Sequence, residues 1–275
     1  MLHAMSVLLH ISDTHFGTED PAVALALQAL AHELQADALI LSGDITQRAR
    51  AVQFKAARDY CDSLRIPKML ALPGNHDIPL FNVLARIAMP YRSYQKAFGG
   101  ELEPVLELRD AIVVGVNTSR PEWHKDGEVS PQQIARVVGL LRGASPGKLR
   151  IVVTHQPACV MREEDEKDRL HGGHEAVTAW SAAGADLVLG GHIHLPYLTD
   201  VCARVKGAKR PMFCVQAGTA LSRRVRHNTP NSVNVIRWEP PAPNAPRACK
   251  VERWDYDLAD ERFELTRTYE LTLGA

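Results

Sequence analysis

The 275-residue chain lacks three features that would each point to a class of partner. It lacks net charge. Its 32 basic residues balance 32 acidic ones, which argues against a general electrostatic grip on nucleic acid or anionic lipid and leaves room only for local patches. It lacks any apolar run near the ~18 residues that span a bilayer, so no transmembrane helix and no membrane partner are expected. It also lacks a CxxC pair. Cys61, Cys159, Cys202, Cys214 and Cys249 are scattered and odd in number, as expected for reduced, core-packing thiols of a cytoplasmic protein. The N-terminus carries no basic stretch with a cleavage site, so no secretory signal is expected, and Met5 would serve as a start as well as Met1. The 45% apolar and 23% charged content suit a globular protein, and a chain of this length can form one domain over residues 1–275 around one large core.

The first third alternates short apolar runs with helical stretches. Strands are expected over Ser6–Ser12, Ala38–Ser42 and Lys68–Leu72, with helices over Pro21–Gln35 and Ala51–Leu64. Such alternation predicts a parallel sheet whose βα loops open on one edge. Further strands follow at Ala111–Asn117, Leu149–Thr154 and Leu187–Gly190. Ser130-Pro131-Gln132-Gln133 has the pattern of a capped helix start, and a helix is expected over Glu175–Ala183. After Leu195 the pattern turns to strands alone: Met212–Ala217, Ser232–Glu239, Lys250–Asp257 and Glu264–Thr272. This strand-rich C-terminal part, from about residue 195, is expected to form a second sheet, with Pro240–Pro246 as a hairpin loop.

The residues that end the strands carry the chemistry. The first strand runs into Asp13-Thr14-His15, the second into Gly43-Asp44, and the third into Gly74-Asn75-His76-Asp77. Two later strands run into His155 and into Gly191-His192-Ile193-His194. Asp13 to Asp44 and Asp44 to Asn75 are both steps of 31 residues, the size of one βαβ unit. Ligands of open α/β sheets sit beyond the carboxyl ends of the strands, so five loops would deliver carboxylates, imidazoles and an amide to one place. Nitrogen and oxygen donors without thiolate suit Mn²⁺, Zn²⁺ or iron, and their number exceeds what one ion needs. Two ions sharing a carboxylate would use them all, an arrangement common in displacement at phosphorus.

In order, DxH, GDx, GNHD, a lone His after a strand and GHxH resemble the calcineurin-like metallophosphoesterase superfamily, over about two thirds of the chain. The resemblance implies an α/β fold of two packed mixed β-sheets flanked by helices. It implies that Asp13, His15 and His194 hold one metal, that Asp44 bridges, and that Asn75, His155 and His192 complete the second. A metal-bridging hydroxide would attack phosphorus. His76 would face the leaving group as a catalytic residue without binding metal, and Asp77 would hydrogen-bond His76 and favour its protonated form.

Within the superfamily the sequence is most similar to the bacterial class III cyclic-nucleotide phosphodiesterases, through GNHDIP with Asn82, the segment Asn117–Arg120, and Ala217–Ser232. The implied substrate is a small phosphodiester, with 3′,5′-cyclic nucleotide as lead candidate. Arg223 and Arg226 could meet a phosphate or could belong to a solvated loop. His171 could line the pocket, although surface placement is the simpler reading. The charged stretch within 161–173 reads as an exposed loop face, with a lid as the alternative. A UDP-2,3-diacylglucosamine-type pyrophosphatase would need an apolar cap that the pattern does not display, and a nuclease would suit a more basic chain. A non-catalytic scaffold of the same fold would typically have lost metal ligands, and every motif is intact here. An antiparallel edge strand could support a dimer.

Overall fold

The computed structural model describes residues 5–226, 229–242 and 245–274; the alternative start at Met1–Ala4 and His227 lie outside them. In chain order the first half comprises β1 (Ser6–Ile11), α1 (Pro21–Leu34), β2 (Ala38–Leu41), α2 (Ala51–Ser63), β3 (Met69–Ala71), α3 (Val83–Ala88), α4 (Arg92–Phe98), β4 (Val105–Glu107) and β5 (Ala111–Gly115). The second half comprises α5 (Pro131–Gly143), β6 (Leu149–Val153), α6 (Gly173–Ala182), β7 (Leu187–Gly190), β8 (Tyr197–Asp200), β9 (Phe213–Gln216), β10 (Ser232–Trp238), β11 (Ala248–Asp257) and β12 (Arg262–Thr272). The expected capping pattern at Ser130 is present: Ser130 Oγ accepts from the Gln133 N–H, and the Gln133 side chain accepts from the Ser130 N–H.

Two mixed six-stranded sheets result, ordered β12-β11-β10-β1-β2-β3 and β4-β5-β6-β7-β9-β8. Period-two alternation explains how they stack. Val7, Leu9 and Ile11 of β1 face a core shared with Leu27 and Leu30 of α1 and Phe54 of α2. Leu8 faces the opposite way, into an inter-sheet core with Ile40, Leu70, Val113, Ile151, Leu189 and Ile236. The outer side of the second sheet packs on Val137 and Leu141 of α5 and on Trp180 of α6. Helices therefore cover both outer faces, and the strands read as continuous apolar runs because both faces are buried.

The strand-rich last third does not form a sheet of its own. Its first strands, β8 and β9, join the second sheet, where β9 runs parallel to β7. Strands β10 to β12 extend the first sheet, β10 pairing antiparallel with β1 in the register Leu8↔Ile236. The physical reason is the free edge of β1: β2 covers only one side of it, and an apolar central strand left half paired is a site for mispairing. Strands β10 and β11 on either side of the Pro-rich run pair antiparallel, and residues 243–244 of that run lie outside the described residues.

Candidate active site

The carboxyl ends of β1, β2 and β3 in one sheet and of β6 and β7 in the other converge at one rim of the molecule. They carry the five segments singled out by their sequence. The backbone there is unusual. Asp13, His15, Asp44, His192 and His194 all adopt positive φ, from 42° to 74°. A side chain in this region costs on the order of 1 kcal/mol per residue, and such conformations cluster at functional sites. Gly191 lets the loop after β7 approach β1, since a Cβ there would lie 1.9 Å from Ser12 Oγ and 2.4 Å from Asp13 Oδ2.

The side chains form three overlapping donor sets, one of them His15, Asp44 and His76. Asp13, His15 and His194 offer ligand atoms within 4.8 Å of one another, as do Asp44, His155 and His192. Asp44 lies between them, with Oδ2 3.8 Å from His15 Nε2 and Oδ1 3.2 Å from His155 Nε2. Asn75 Oδ1 approaches the same His155 nitrogen at 3.2 Å, and the Nε2 atoms of His15 and His194 stand 3.0 Å apart. Backbone groups fix the orientation. Nδ1 of His155 donates to the Ser42 carbonyl (2.8 Å) and Nδ1 of His194 to the Arg224 carbonyl (2.5 Å), turning each Nε2 toward the cluster. The His192 N–H donates to Asp13 and the His76 N–H to Asp44, at 2.9 and 2.8 Å. His192 Nδ1 is buried with no hydrogen-bond partner among the described residues, an orphan that a cation would satisfy. Seven nitrogen and oxygen donors, four of them held by backbone groups, and one orphaned imidazole nitrogen fit a pair of cations of the Mn²⁺, iron or Zn²⁺ kind.

Electrostatics agree with that fit. Burial opposes ionisation of Asp13, but His194 and His155 outweigh it and hold the carboxyl below its usual range. Asp44 is likewise held well below, with His155 and His76 outweighing burial. Conversely, burial opposes charge on His155, yet Asp44 pushes its pKa up to about 9, and Asp13 raises His194 in the same way against the same burial. Burial keeps His15 neutral, down to about 3, and burial with the nearby His155 takes His192 down to about 4. The carboxylates thus favour positive charge on His155 and His194, a charge that a cation held by the same residues would supply instead.

Asp77 differs from expectation. Its buried carboxylate accepts from the N–H groups of Ile45 (2.9 Å), Thr46 (2.8 Å) and Gly74 (2.9 Å) and from the Thr46 hydroxyl (2.8 Å), so it ties the β2 and β3 loops together instead of orienting His76. Burial, then Asp44, raise its pKa to about 6, while these donors favour the carboxylate. His76 takes its orientation from the Gln47 carbonyl, 3.1 Å from Nδ1, and its half-buried ring stands edge-on to His15. Adjacent residues on this one-turn segment point in different directions, and Asp77 turns inward to meet unpaired N–H groups.

The arginine beside the cluster is Arg224, which sequence reasoning missed. Its Nη1 lies 3.3 Å from His76 Nε2, 3.4 Å from His15 Nδ1 and 3.1 Å from Gln47 Oε1. Arg223 points outward to Asp20. Arg226 pairs with Glu164 (3.0 Å) and the buried Asp165 (2.8 Å) and borders, with His192 and Lys167, a cavity of about 420 Å³. The loop over residues 161–173 therefore stands against the site, its Glu163–Asp168 segment wound as a helical turn and pinned by Arg226. His171 is exposed, its ring edge-on to Trp123, and it joins no donor set. Nothing in the spacing of Arg223, Arg224 and Arg226 separates the three; only the path of the loop does.

Comparisons with known proteins agree with this geometry. The chain is 33% identical over 82 residues to the glycerophosphodiester phosphodiesterase GpdQ of Enterobacter lignolyticus, a match covering 26% of this chain and 29% of that protein. Purple acid phosphatase PPD1 from yellow lupin superposes with a TM-score of 0.69 at 12% identity, over 98% of this chain and 54% of the lupin enzyme. A structure of PhoD gives the same TM-score at 10% identity, over 98% of this chain and 70% of that one. The chain thus spans well under two thirds of the GpdQ and lupin proteins, and the two structural likenesses concern the fold. Residues 6–196 match the sequence model of the calcineurin-like phosphoesterases, and the chain belongs to that family.

Proposed function

We propose that the protein is a dinuclear-metal-dependent phosphodiesterase acting on a small phosphodiester, with Asp13, His15, Asp44, Asn75, His155, His192 and His194 as metal ligands. The observation that carries this reading is the convergence of those seven donors from five loops, with Asp44 standing between the set of Asp13, His15 and His194 and His155, 3.8 Å from His15 Nε2 and 3.2 Å from His155 Nε2. Bound at these residues, divalent cations would supply an acidified water and neutralise charge on the phosphoryl oxygens. The chain supplies the rest. Asp44 and Asp13 balance the cationic charge, and backbone N–H groups hold both carboxylates in place. His76 and Arg224 stand at the open side, where an imidazole and a guanidinium can meet the leaving oxygen and a non-bridging oxygen of the substrate. The similarity to GpdQ supports a diester in preference to a monoester. Cyclic nucleotides and glycerol-type diesters are the leading candidates, and Mn²⁺ the leading metal. Five unpaired cysteines, four of them buried, support a reducing, cytoplasmic setting. No helix among the described residues is long and apolar enough to cross a membrane.

The test combines metal analysis with one substrate panel: bis-p-nitrophenyl phosphate, a cyclic nucleotide, a glycerophosphodiester and a UDP-linked sugar. Close to two metals per chain and preferential turnover of diesters are expected. A metal-free, inert protein would overturn the reading in favour of a scaffold. His76→Ala is expected to keep both metals and to slow turnover by roughly 10²- to 10⁴-fold, as loss of a proton donor does; loss of metal would refute the role given to His76.

A further inference from the structure

Helix α3 is built inside out. Phe81, Leu84 and Ile87 are 79%, 81% and 77% exposed, and Leu80, Val83 and Met89 beside them are exposed as well. The polar residue of the helix points the other way: Arg86 turns inward and donates to the carbonyls of Pro121 (2.5 Å), Trp123 (2.7 Å) and Pro79 (3.2 Å). Asn82 caps the helix through the Ala85 N–H at 3.0 Å. An ordinary surface helix buries its apolar stripe and hydrates its charges. Here three hydrogen bonds hold the apolar stripe facing outward.

We propose that this face is the self-association surface of the protein, occupied by a second copy of the chain across a two-fold axis. The six apolar side chains leave on the order of 700 Å² uncovered, close to the ~800 Å² per partner of a standard interface and above the largest apolar patch of a typical monomer. Charge selects among occupants. The chain has zero net charge, Arg86 is consumed by carbonyls, and the Arg48 guanidinium lies 5.1 Å over the Phe81 ring. An anionic lipid surface or an acidic partner thus finds little to hold, whereas a two-fold contact asks only that an apolar patch match itself. The patch also adjoins the candidate site, because Leu80 lines a small cleft with His76, Asn75 and Gln47. The second copy would border the side of the cleft that His76 faces. The proposal does not depend on which phosphoester is cleaved.

Sedimentation velocity from nanomolar to tens of micromolar protein tests it. A species of twice the 30.4 kDa chain mass is expected. The double variant Leu84→Glu/Ile87→Glu should dissociate at least about 30-fold more readily, as expected for loss of an interface anchor. Phe81→Asp serves as a second, single-site variant, and circular dichroism confirms that both are folded. Hydrogen exchange on the unmodified protein gives a readout free of mutation, with amides of residues 80–89 becoming less protected on dilution. A monomer at every concentration, or a dimer that survives both folded variants, would overturn the proposal. So would a monomer that co-floats with phosphatidylcholine vesicles, which would give the face to lipid.

Discussion

Gly74→Ala adds one methyl group to the candidate site and removes no ligand, so it separates the geometry of the site from its chemistry. Gly74 has φ −100° and ψ −176°, an extended conformation open to alanine, and the cost of the substitution is therefore steric. The new Cβ would stand 2.2 Å from both the backbone nitrogen and Oδ1 of Asp44, and 2.8 Å from His155 Nε2. Backbone cannot swing aside as a side chain can, and both side chains in the way are candidate ligands. Overpacking of this kind costs about 1–3 kcal/mol, and the smaller unfolded-state entropy of alanine returns roughly 0.4–1 kcal/mol. A net loss of about 1–2 kcal/mol in a chain of this size lowers Tm by roughly 2–8 °C. Scanning calorimetry on chelated protein measures that fall, and metal analysis of the reconstituted protein should find one ion per chain instead of two. Unchanged Tm with both ions retained would show that the β2 and β3 loops are not locked together as described. A lowered Tm with both ions and full turnover would sever the packing from the metal site.

Asp77→Asn should cost about 3 kcal/mol or more in unfolding free energy, because an amide offers one acceptor oxygen where four donors converge. A variant of native stability that merely turns over slowly would restore Asp77 to a role through His76. Arg224→Ala should retain both metals and lose roughly 10²- to 10³-fold in kcat/KM, the usual consequence of losing a charge-stabilising donor; unchanged kinetics would remove Arg224 from the site. His10 supplies the pH test. Burial takes its pKa from 6.5 down to about 3, while its ring bridges Ser42 Oγ (2.9 Å) and Asn234 (3.3 Å). Between those two values the unfolded chain binds a proton that the folded one refuses, so stability falls with pH by up to ~1.4 kcal/mol per unit. The advantage of wild type over His10→Asn in urea unfolding should accordingly shrink from pH 6.5 downward. A gap that widens on acidification would show that His10 is protonated in the fold.

The candidate site was legible because its signal is local: an apolar run that ends in Asp, His or Asn reports a loop at a strand end without knowledge of the partner strand. Sheet membership is a different kind of information. The composition of Ser232–Trp238 marks a strand, but only three-dimensional packing selects β1 as its neighbour, and the expectation of a separate C-terminal sheet failed for that reason. The same limit hid Arg224, since the path of its loop distinguishes it from Arg223 and Arg226 and composition does not. Adjacency in sequence suggests His76 as the partner of Asp77, whereas two N–H groups and a hydroxyl of the β2 loop, with the N–H of Gly74 on its own loop, supply four hydrogen bonds instead. Helix α3 has the composition of a core element, and only the inward turn of Arg86 reveals that its apolar side faces out.

The pairing of β1 with β10 also sets the order in which the site can be completed during synthesis. All seven candidate ligands precede residue 195 in the chain, yet one edge of β1 stays bare until residues 232–238 arrive. Several supports of the ligand loops come later still than the ligands themselves. Thr219 Oγ1 donates to the Asp13 carbonyl at 2.6 Å, the Ala220 N–H to the Ser12 carbonyl at 2.9 Å, and the Arg224 carbonyl receives His194. A nascent or truncated chain that ends soon after residue 194 therefore carries every donor and none of these clamps. Such a fragment would keep an open sheet edge, and what separates it from the closed site is supplied by residues outside the seven candidate ligands.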